Sequence, residues 1–315
     1  MANYLVTGGC GFIGSHLVDS LIGDGHQVRI LDDLSTGKME NIPSQCEVVE
    51  GDIVDIQTVR TCMEGVDGCF HLAAIASVQE SNENWVRTHR INLTGTINVF
   101  EAARLNKTPV IYASSAAVYG DNADIPLKES SALRPLTAYG ADKLGSELHA
   151  RVATLVHGVP TTGLRFFNVY GPRQDPSSPY SGVISIFMDR LQKGETLTIY
   201  GDGEQTRDFI YVSDVVRYLR TSMQNVGRYP TVFNVCTGES VTVNQLATSM
   251  MSISGVQINI EHKPSRKGDI RGSVGDQRYT NQTLNISATY ALIEGLRELL
   301  NANETEACKM INMSA

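Results

Sequence analysis

Residues 7–16 read TGGCGFIGSH, with glycines three apart at 8, 11 and 14. The apolar run Tyr4 to Thr7 precedes them, and Phe12, Ile13, Leu17, Val18 and Leu21 follow at helical spacing. Strand, turn and helix thus come in the order that a phosphate-binding loop requires. Gly8 lets the chain turn sharply, Gly11 lets the backbone approach a pyrophosphate, and Gly14 permits close packing of helix on strand. The helix start then offers free amides to an anion. A tight turn without any ligand would use the same glycines, so the next strand decides between the two.

That strand, Gln27 to Leu31, runs into Asp32 and Asp33, and Asp32 stands eighteen residues past Gly14. A carboxylate at about that distance accepts hydrogen bonds from an adenosine ribose. Two acids there repel a 2′-phosphate, which selects NAD over NADP, although Arg29 and Lys38 are near in sequence. Asp33 alone reads equally well as a turn cap.

With 315 residues and 42% hydrophobic content, the chain can bury a large core and is long enough for two lobes. The net charge of -8, from 26 basic and 34 acidic residues, argues against nucleic acid or an anionic membrane as partner. An anionic substrate must therefore meet locally placed arginines. Six cysteines, at 10, 46, 62, 69, 236 and 308, form no CxxC pair and no disulfide framework, which suits a reducing cytoplasm. No charged leader with an apolar core precedes the first strand, and no apolar run approaches the roughly 20 residues that cross a bilayer. The expectation is a cytoplasmic protein with no membrane partner.

Further short apolar runs, Cys46 to Glu50, Gly68 to Leu72, Val110 to Ala113 and Thr161 to Phe166, alternate with helical patterns such as Trp85 to Leu105 and Tyr139 to His157. This predicts an α/β fold built on a doubly wound parallel sheet, with a smaller C-terminal lobe. Near Asn168 the pattern changes to GPRQDPSSPYSG, read as the crossing into that lobe, and Phe209 to Val235 is expected to return to the sheet. The domains expected are 1–170 plus about 209–235 for the dinucleotide, and about 171–208 with 236–315 for the substrate.

In YGADK, Tyr139 and Lys143 are four apart on a predicted helix, so both side chains lie on one face. An ammonium beside a phenol favours phenolate. With a cationic nicotinamide nearby as well, Tyr139 becomes a general base at neutral pH. Ser115, at the strand end in YASSAAVYG, can hydrogen-bond both the phenol and a substrate hydroxyl. A lone YxxxK is usually an ordinary helix face, but this one follows a dinucleotide fingerprint and a serine strand end.

Together these residues resemble the extended short-chain dehydrogenase/reductase superfamily over nearly the whole chain. TGGCGFIG, Asp52-Ile53, HLAA at 71–74, INLTGT at 91–96, SSAAVYG, YGADK, RFFNVYGPR and TRDFIYVSDV occur in the family's order. The resemblance implies that Asp52 and Ile53 lie against adenine, that Leu72, Ala73 and Ala74 line the cofactor alongside Phe12 and Ile13, and that Lys143 also holds the nicotinamide ribose. Asn92 would support the cofactor side, while His71 reads as a structural histidine.

Within the superfamily the chain is most similar to UDP-hexose 4-epimerases. That similarity implies a UDP-sugar substrate contacted by Asn168, Arg207, Arg266 and Asp269, with Thr198 and Tyr200 of LTIYG bordering the uracil. Guanidinium forks match phosphate oxygens, so two arginines are a sensible answer to a pyrophosphate in an acidic protein. The implied reaction is a reversible C4 oxidation: Tyr139 takes the 4-hydroxyl proton, hydride passes to NAD, and a 4-keto sugar turns before hydride returns.

Related 4,6-dehydratases and UDP-glucuronate decarboxylases carry acidic residues between the active-site Ser or Thr and VYG, where this chain has Ala116 and Ala117. A UDP-glucuronate 4-epimerase would need a cation for the C6 carboxylate, and a non-catalytic NAD-binding relative commonly loses the Tyr and Lys. Four residues after Asp269 stands Ser273, at a position that is large in epimerases confined to glucose and galactose and small in those accepting acetamido sugars. The serine leads to the expectation that UDP-N-acetylglucosamine and UDP-N-acetylgalactosamine are substrates as well as UDP-glucose and UDP-galactose. Family members pair through two helices per subunit, here Val86 to Leu105 and Tyr139 to His157, so a homodimer is expected. The apolar faces of these helices could equally be core.

Overall fold

Strands of a parallel sheet covered on both faces carry consecutive apolar residues, and Leu5-Val6, Ile30-Leu31 and Val110-Ile111 are all fully buried. The protein is described from a computed structural model covering residues 1–176, 182–265 and 269–313, with side chains through residue 303. Its main sheet has seven parallel strands in the order Thr231–Val235, Thr161–Phe166, Val110–Ser115, Gly68–His71, Asn3–Thr7, Gln27–Asp32 and Glu47–Glu50. Strand order reverses between Asn3–Thr7 and Gly68–His71. Ligands of such sheets bind outside the carboxyl ends of the strands at that switch point. Gly8 and Leu72, the first residues beyond these two strands, therefore open the expected crevice.

One face of the sheet packs on Leu17, Val18 and Leu21 of helix Phe12–Gly23 and on Val215 and Leu219 of helix Val212–Asn225. The other face packs on Val59, Val99, Phe100, Ala103 and Ala150 from helices Ile56–Met63, Gly95–Arg104 and Ala138–Leu155. A separate apolar cluster, with Ile184, Phe187, Leu197, Ile199, Leu246, Met250 and Leu296, fills the remaining part of the chain.

Three elements differ from the sequence expectation. The strand read as Val110 to Ala113 continues through Ser115, which carries the serine to the strand's very end. The pattern Trp85 to Leu105 is broken by a wider π-type turn at Arg90–Thr94 between helices Trp85–His89 and Gly95–Arg104. Such turns shift helical phase, and hydropathy spacing does not announce them. Of the stretch Phe209 to Val235, only Thr231–Val235 joins the sheet; Phe209–Tyr211 pairs in parallel with Asn168–Tyr170 instead. Among the described residues no helix is long and apolar enough to cross a membrane.

His71 shows how the sheet floor is built. Its ring is buried, with Nδ1 2.7 Å from Thr7 Oγ1 and Nε2 2.9 Å from Thr96 Oγ1. Burial, aided by the nearby Lys143 ammonium, depresses its pKa to about 3. The folded chain keeps this imidazole neutral, whereas the unfolded chain protonates it below about pH 6.5. Stability from this group is therefore complete above that pH and falls as pH drops, by about 2 kcal/mol at pH 5. The substitution His71→Asn removes the titration. The gap between urea-derived stabilities at pH 7 and pH 5 is expected to shrink by about that amount, and an unchanged gap contradicts the assignment.

Candidate functional site

The glycine loop has the stereochemistry of a phosphate cradle. Gly8 adopts φ +70, and a β-carbon there would lie 2.7 Å from the Ala73 amide nitrogen. A β-carbon at Gly14 would overlap the Gly8 carbonyl, so helix and strand pack at a distance that only glycine allows. At Gly11, by contrast, an added β-carbon would meet nothing closer than the Gly8 carbonyl, 3.3 Å away. No side chain caps helix Phe12–Gly23, which leaves its first amides pointing outward.

These glycines open into a cavity of about 280 Å³. Phe12, Ile13, Asp32, Asp52 and Ile53 line one end of it, and Leu72, Ala73, Ala74, Tyr139 and Lys143 line the other. Each oxygen of the buried Asp32 carboxylate accepts one backbone N–H, from Cys10 at 2.9 Å and from Leu34 at 2.9 Å. A lone pair on each is left for a ligand hydroxyl. Asp33 caps its own turn by accepting from the Ser35 amide and hydroxyl, and it also lines the cavity. Arg29 is committed to Glu47 and to the Cys62 and Glu64 carbonyls, and Lys38 pairs with Glu40, so neither stands ready for a 2′-phosphate. Asn92 does not line the cavity. Its amide side chain accepts from the Ile75 N–H and donates to the Ile75 carbonyl, which fixes the chain just past Ala74. Its place in the π-type turn points it there.

A second cavity, of about 820 Å³, adjoins the first, and Tyr139 and Phe166 line both. Ser115, Asn168, Arg207, Asp269 and Ser273 line the second, as do Ala116 and Ala117. Arg207 Nη2 donates to Asp269 Oδ1 at 2.9 Å. The fully buried Asp208, next in sequence, accepts from the amides of Thr237, Gly238 and Gly275, tying three loops beneath the cavity. Asn168 is held by its own amide and its side chain, both donating to the Asp208 carbonyl at 3.0 Å.

Thr198 and Tyr200 line neither cavity. In strand Leu197–Tyr200 the side chains of Leu197 and Ile199 enter the core, and Thr198 and Tyr200 alternate to the other face. Arg266 lies outside the described residues. Sequence reasoning missed Gln79, Asn82 and Glu83 on the second cavity's wall and Ser35 and Thr36 on the first. Only polarity marks these five in the sequence, and polarity marks every exposed turn equally.

The reactive centre is assembled by close approach of helix Ala138–Leu155 to strand Val110–Ser115. Thr137 caps the helix by accepting from the Gly140 amide at 3.0 Å. A β-carbon at Gly140 would stand 2.6 Å from the Ala117 carbonyl, so the helix start abuts the turn that follows Ser115. Ser115 Oγ accepts from the Ala117 amide and is hydrogen-bonded to Tyr139. Lys143 Nζ donates to the Ala113 carbonyl at 2.9 Å and lies 5.7 Å from the centre of the Tyr139 ring. Burial lowers the Lys143 pKa to about 8, a shift that Asp142 resists. Burial raises that of Tyr139, and the Ser115 hydrogen bond offsets part of the rise. The sequence pattern called for a cationic nicotinamide as well as Lys143 beside the phenol, and the burial that raises the Tyr139 pKa makes that second positive charge the more necessary.

The family model described as the NAD dependent epimerase/dehydratase family matches residues 4–236. The chain belongs to that family, an NAD-dependent branch of the extended short-chain dehydrogenase/reductases. The UDP-glucose 4-epimerase of Thermotoga maritima, solved with UDP-glucose, is 36% identical with a TM-score of 0.93, covering 97% of this chain and 99% of that one. The UDP-N-acetylglucosamine 4-epimerase of Methanobrevibacter ruminantium, solved with UDP-N-acetylmuramic acid, is 37% identical with a TM-score of 0.92, over 97% and 99%. A UDP-N-acetyl-alpha-D-glucosaminuronate decarboxylase of Bacillus cytotoxicus is 33% identical over 84% of each chain.

The glycine cradle and Asp32 fit NAD. Gly14→Ala is expected to strip bound NAD from the purified protein and to lower stability by about 1–3 kcal/mol through overpacking. Absorbance ratios and urea unfolding read both effects, and full NAD retention contradicts the cradle.

Proposed function

We propose that this protein is a UDP-hexose 4-epimerase that retains NAD between turnovers and accepts N-acetylated as well as plain hexoses. The observation that carries the reading is the position of Tyr139, which lines the dinucleotide cavity on one side and the larger cavity ending at Arg207 and Ser273 on the other. On this reading residues 1–170 with about 209–235 serve NAD, and about 171–208 with 236–315 serve the sugar nucleotide. Arg207, with Arg266, meets the diphosphate, and Asn168 and Asp269 hold the nucleotide end.

NAD, when bound, supplies the acceptor and donor of hydride at C4 and a positive charge beside the phenol. Tyr139 Oη takes the proton from the 4-hydroxyl and later returns it. Ser115 orients both oxygens, and Lys143 keeps a cation against the phenol and holds the cofactor ribose. Ala116 and Ala117 offer no carboxyl group at the two positions after Ser115, which supports epimerisation over elimination at C5 and C6. Among the described residues lining the larger cavity, the only cation is Arg207, already engaged by Asp269.

Ser273 is buried and lines this cavity, which supports its reading as the small residue that leaves room for an acetamido group. The two segments named for pairing expose Val86, Leu148, Val152 and Val156, with Trp85 just before the first, while Val99, Phe100 and Ala150 face the core. The exposed set suits a homodimer, which light scattering reads directly.

Two substitutions test the reading. Tyr139→Phe is expected to lower kcat by about 10²–10⁴-fold while NAD stays bound; near-wild-type turnover contradicts the assignment of the base. Ser273→Tyr should suppress turnover of UDP-N-acetylglucosamine and spare UDP-glucose. Equal loss on both substrates overturns the pocket argument.

A further inference from the structure

Helix Ala138–Leu155 carries Tyr139, Lys143 and Glu147 at successive four-residue steps, so the three side chains share one stripe. Glu147 lines neither cavity. Its side chain is 7% exposed and that of its partner Arg165 is 4% exposed. Arg165 donates Nε and Nη2 to the two carboxylate oxygens at 2.8 and 2.7 Å, and Ser114 Oγ donates to the same carboxylate at 2.5 Å. The remaining arm, Nη1, donates to the Tyr119 hydroxyl at 2.8 Å and to the Glu129 carbonyl at 3.0 Å. Tyr119 in turn donates to Asn234 Oδ1 at 2.6 Å, and Asn234 Nδ2 donates to the Leu127 carbonyl at 2.9 Å. Leu127 is bonded through its backbone to Val274 and Asp276, the residues just past Ser273.

Stability does not account for this pair. Two buried charges lose their hydration, and an apolar pair of similar volume usually holds a fold as well or better. What an apolar pair lacks is direction. A bidentate guanidinium fork fixes both distance and angle between the elements it joins. Here it joins the helix bearing Tyr139 and Lys143 to strand Thr161–Phe166, with the turn at Tyr119 on its remaining arm, while Ser114 ties the strand ending at Ser115 to the same carboxylate.

We propose that Glu147 and Arg165 are positioning residues, a buried fork that sets the Tyr139–Ser115–Lys143 geometry and registers it against the segment carrying Ser273. Neither residue touches substrate or cofactor. The proposal rests on the epimerase reading above. Misplacement of reacting groups by about 1 Å costs on the order of 10²-fold in rate, so the effect belongs in kcat rather than in binding.

The test is the double substitution Glu147→Leu with Arg165→Met. It removes both charges together, so neither is left buried alone. The expected result is a folded protein with NAD retained, KM for UDP-glucose within about twofold, and kcat lowered at least about tenfold. A folded double variant with wild-type kcat overturns the proposal and leaves the pair a stability element. Should the double variant not fold, Arg165→Lys keeps a charge but loses the fork: the same kcat loss at unchanged KM supports the proposal, and wild-type kcat overturns it. Wild-type protein inactive on both UDP-glucose and UDP-N-acetylglucosamine overturns instead the reading beneath it.

Discussion

The distance between helix Ala138–Leu155 and strand Val110–Ser115 governs everything in the cleft. Three contacts set it, one per helical turn: Gly140 against the Ala117 carbonyl, Lys143 to the Ala113 carbonyl, and Glu147 to Ser114. A larger residue at the first contact would lift the helix start, and with it the Tyr139 hydroxyl, away from Ser115. Burial follows from the same closeness. It pushes the Tyr139 phenol up and the Lys143 ammonium down to about 8, so the phenol resists ionisation while the lysine still carries most of its charge at neutral pH.

The sheet and the outer elements contribute by holding that geometry steady. Asp208, next to Arg207, gathers the Thr237, Gly238 and Gly275 amides, so the Arg207 side of the large cavity is anchored to the strand pair Asn168–Tyr170 and Phe209–Tyr211. Its carboxyl is dehydrated, which raises its pKa, and the amides it accepts from work against the rise. On the opposite side Asn92 clamps Ile75, and the π-type turn that aims Asn92 is the price of interrupting an otherwise regular helix.

The glycine loop, the alternation of strands and helices around it and the Tyr139-Lys143 stripe were legible in the sequence because each rests on local rules: permitted φ, apolar periodicity and helical spacing. Those rules act over a few residues. Thr198 and Tyr200 illustrate their limit, since a motif five residues long does not reveal which face of a strand points to the cavity and which enters the core. Glu147 and Arg165 were invisible for a related reason. Eighteen residues separate them, and a charged pair in a sequence reads as solvated surface until the fold buries it. The burial that raises the Tyr139 pKa was likewise not legible, because burial is a tertiary quantity.

The central claim is that one enclosed phenol serves both directions of a reversible oxidation at C4, with the hydrogen removed from carbon never passing through solvent. The direct measurement is NMR of UDP-glucose incubated in D2O with the purified protein and no added cofactor. The account predicts UDP-galactose carrying protium at C4. Deuterium at C4, or no product until NAD is supplied stoichiometrically with substrate, contradicts it.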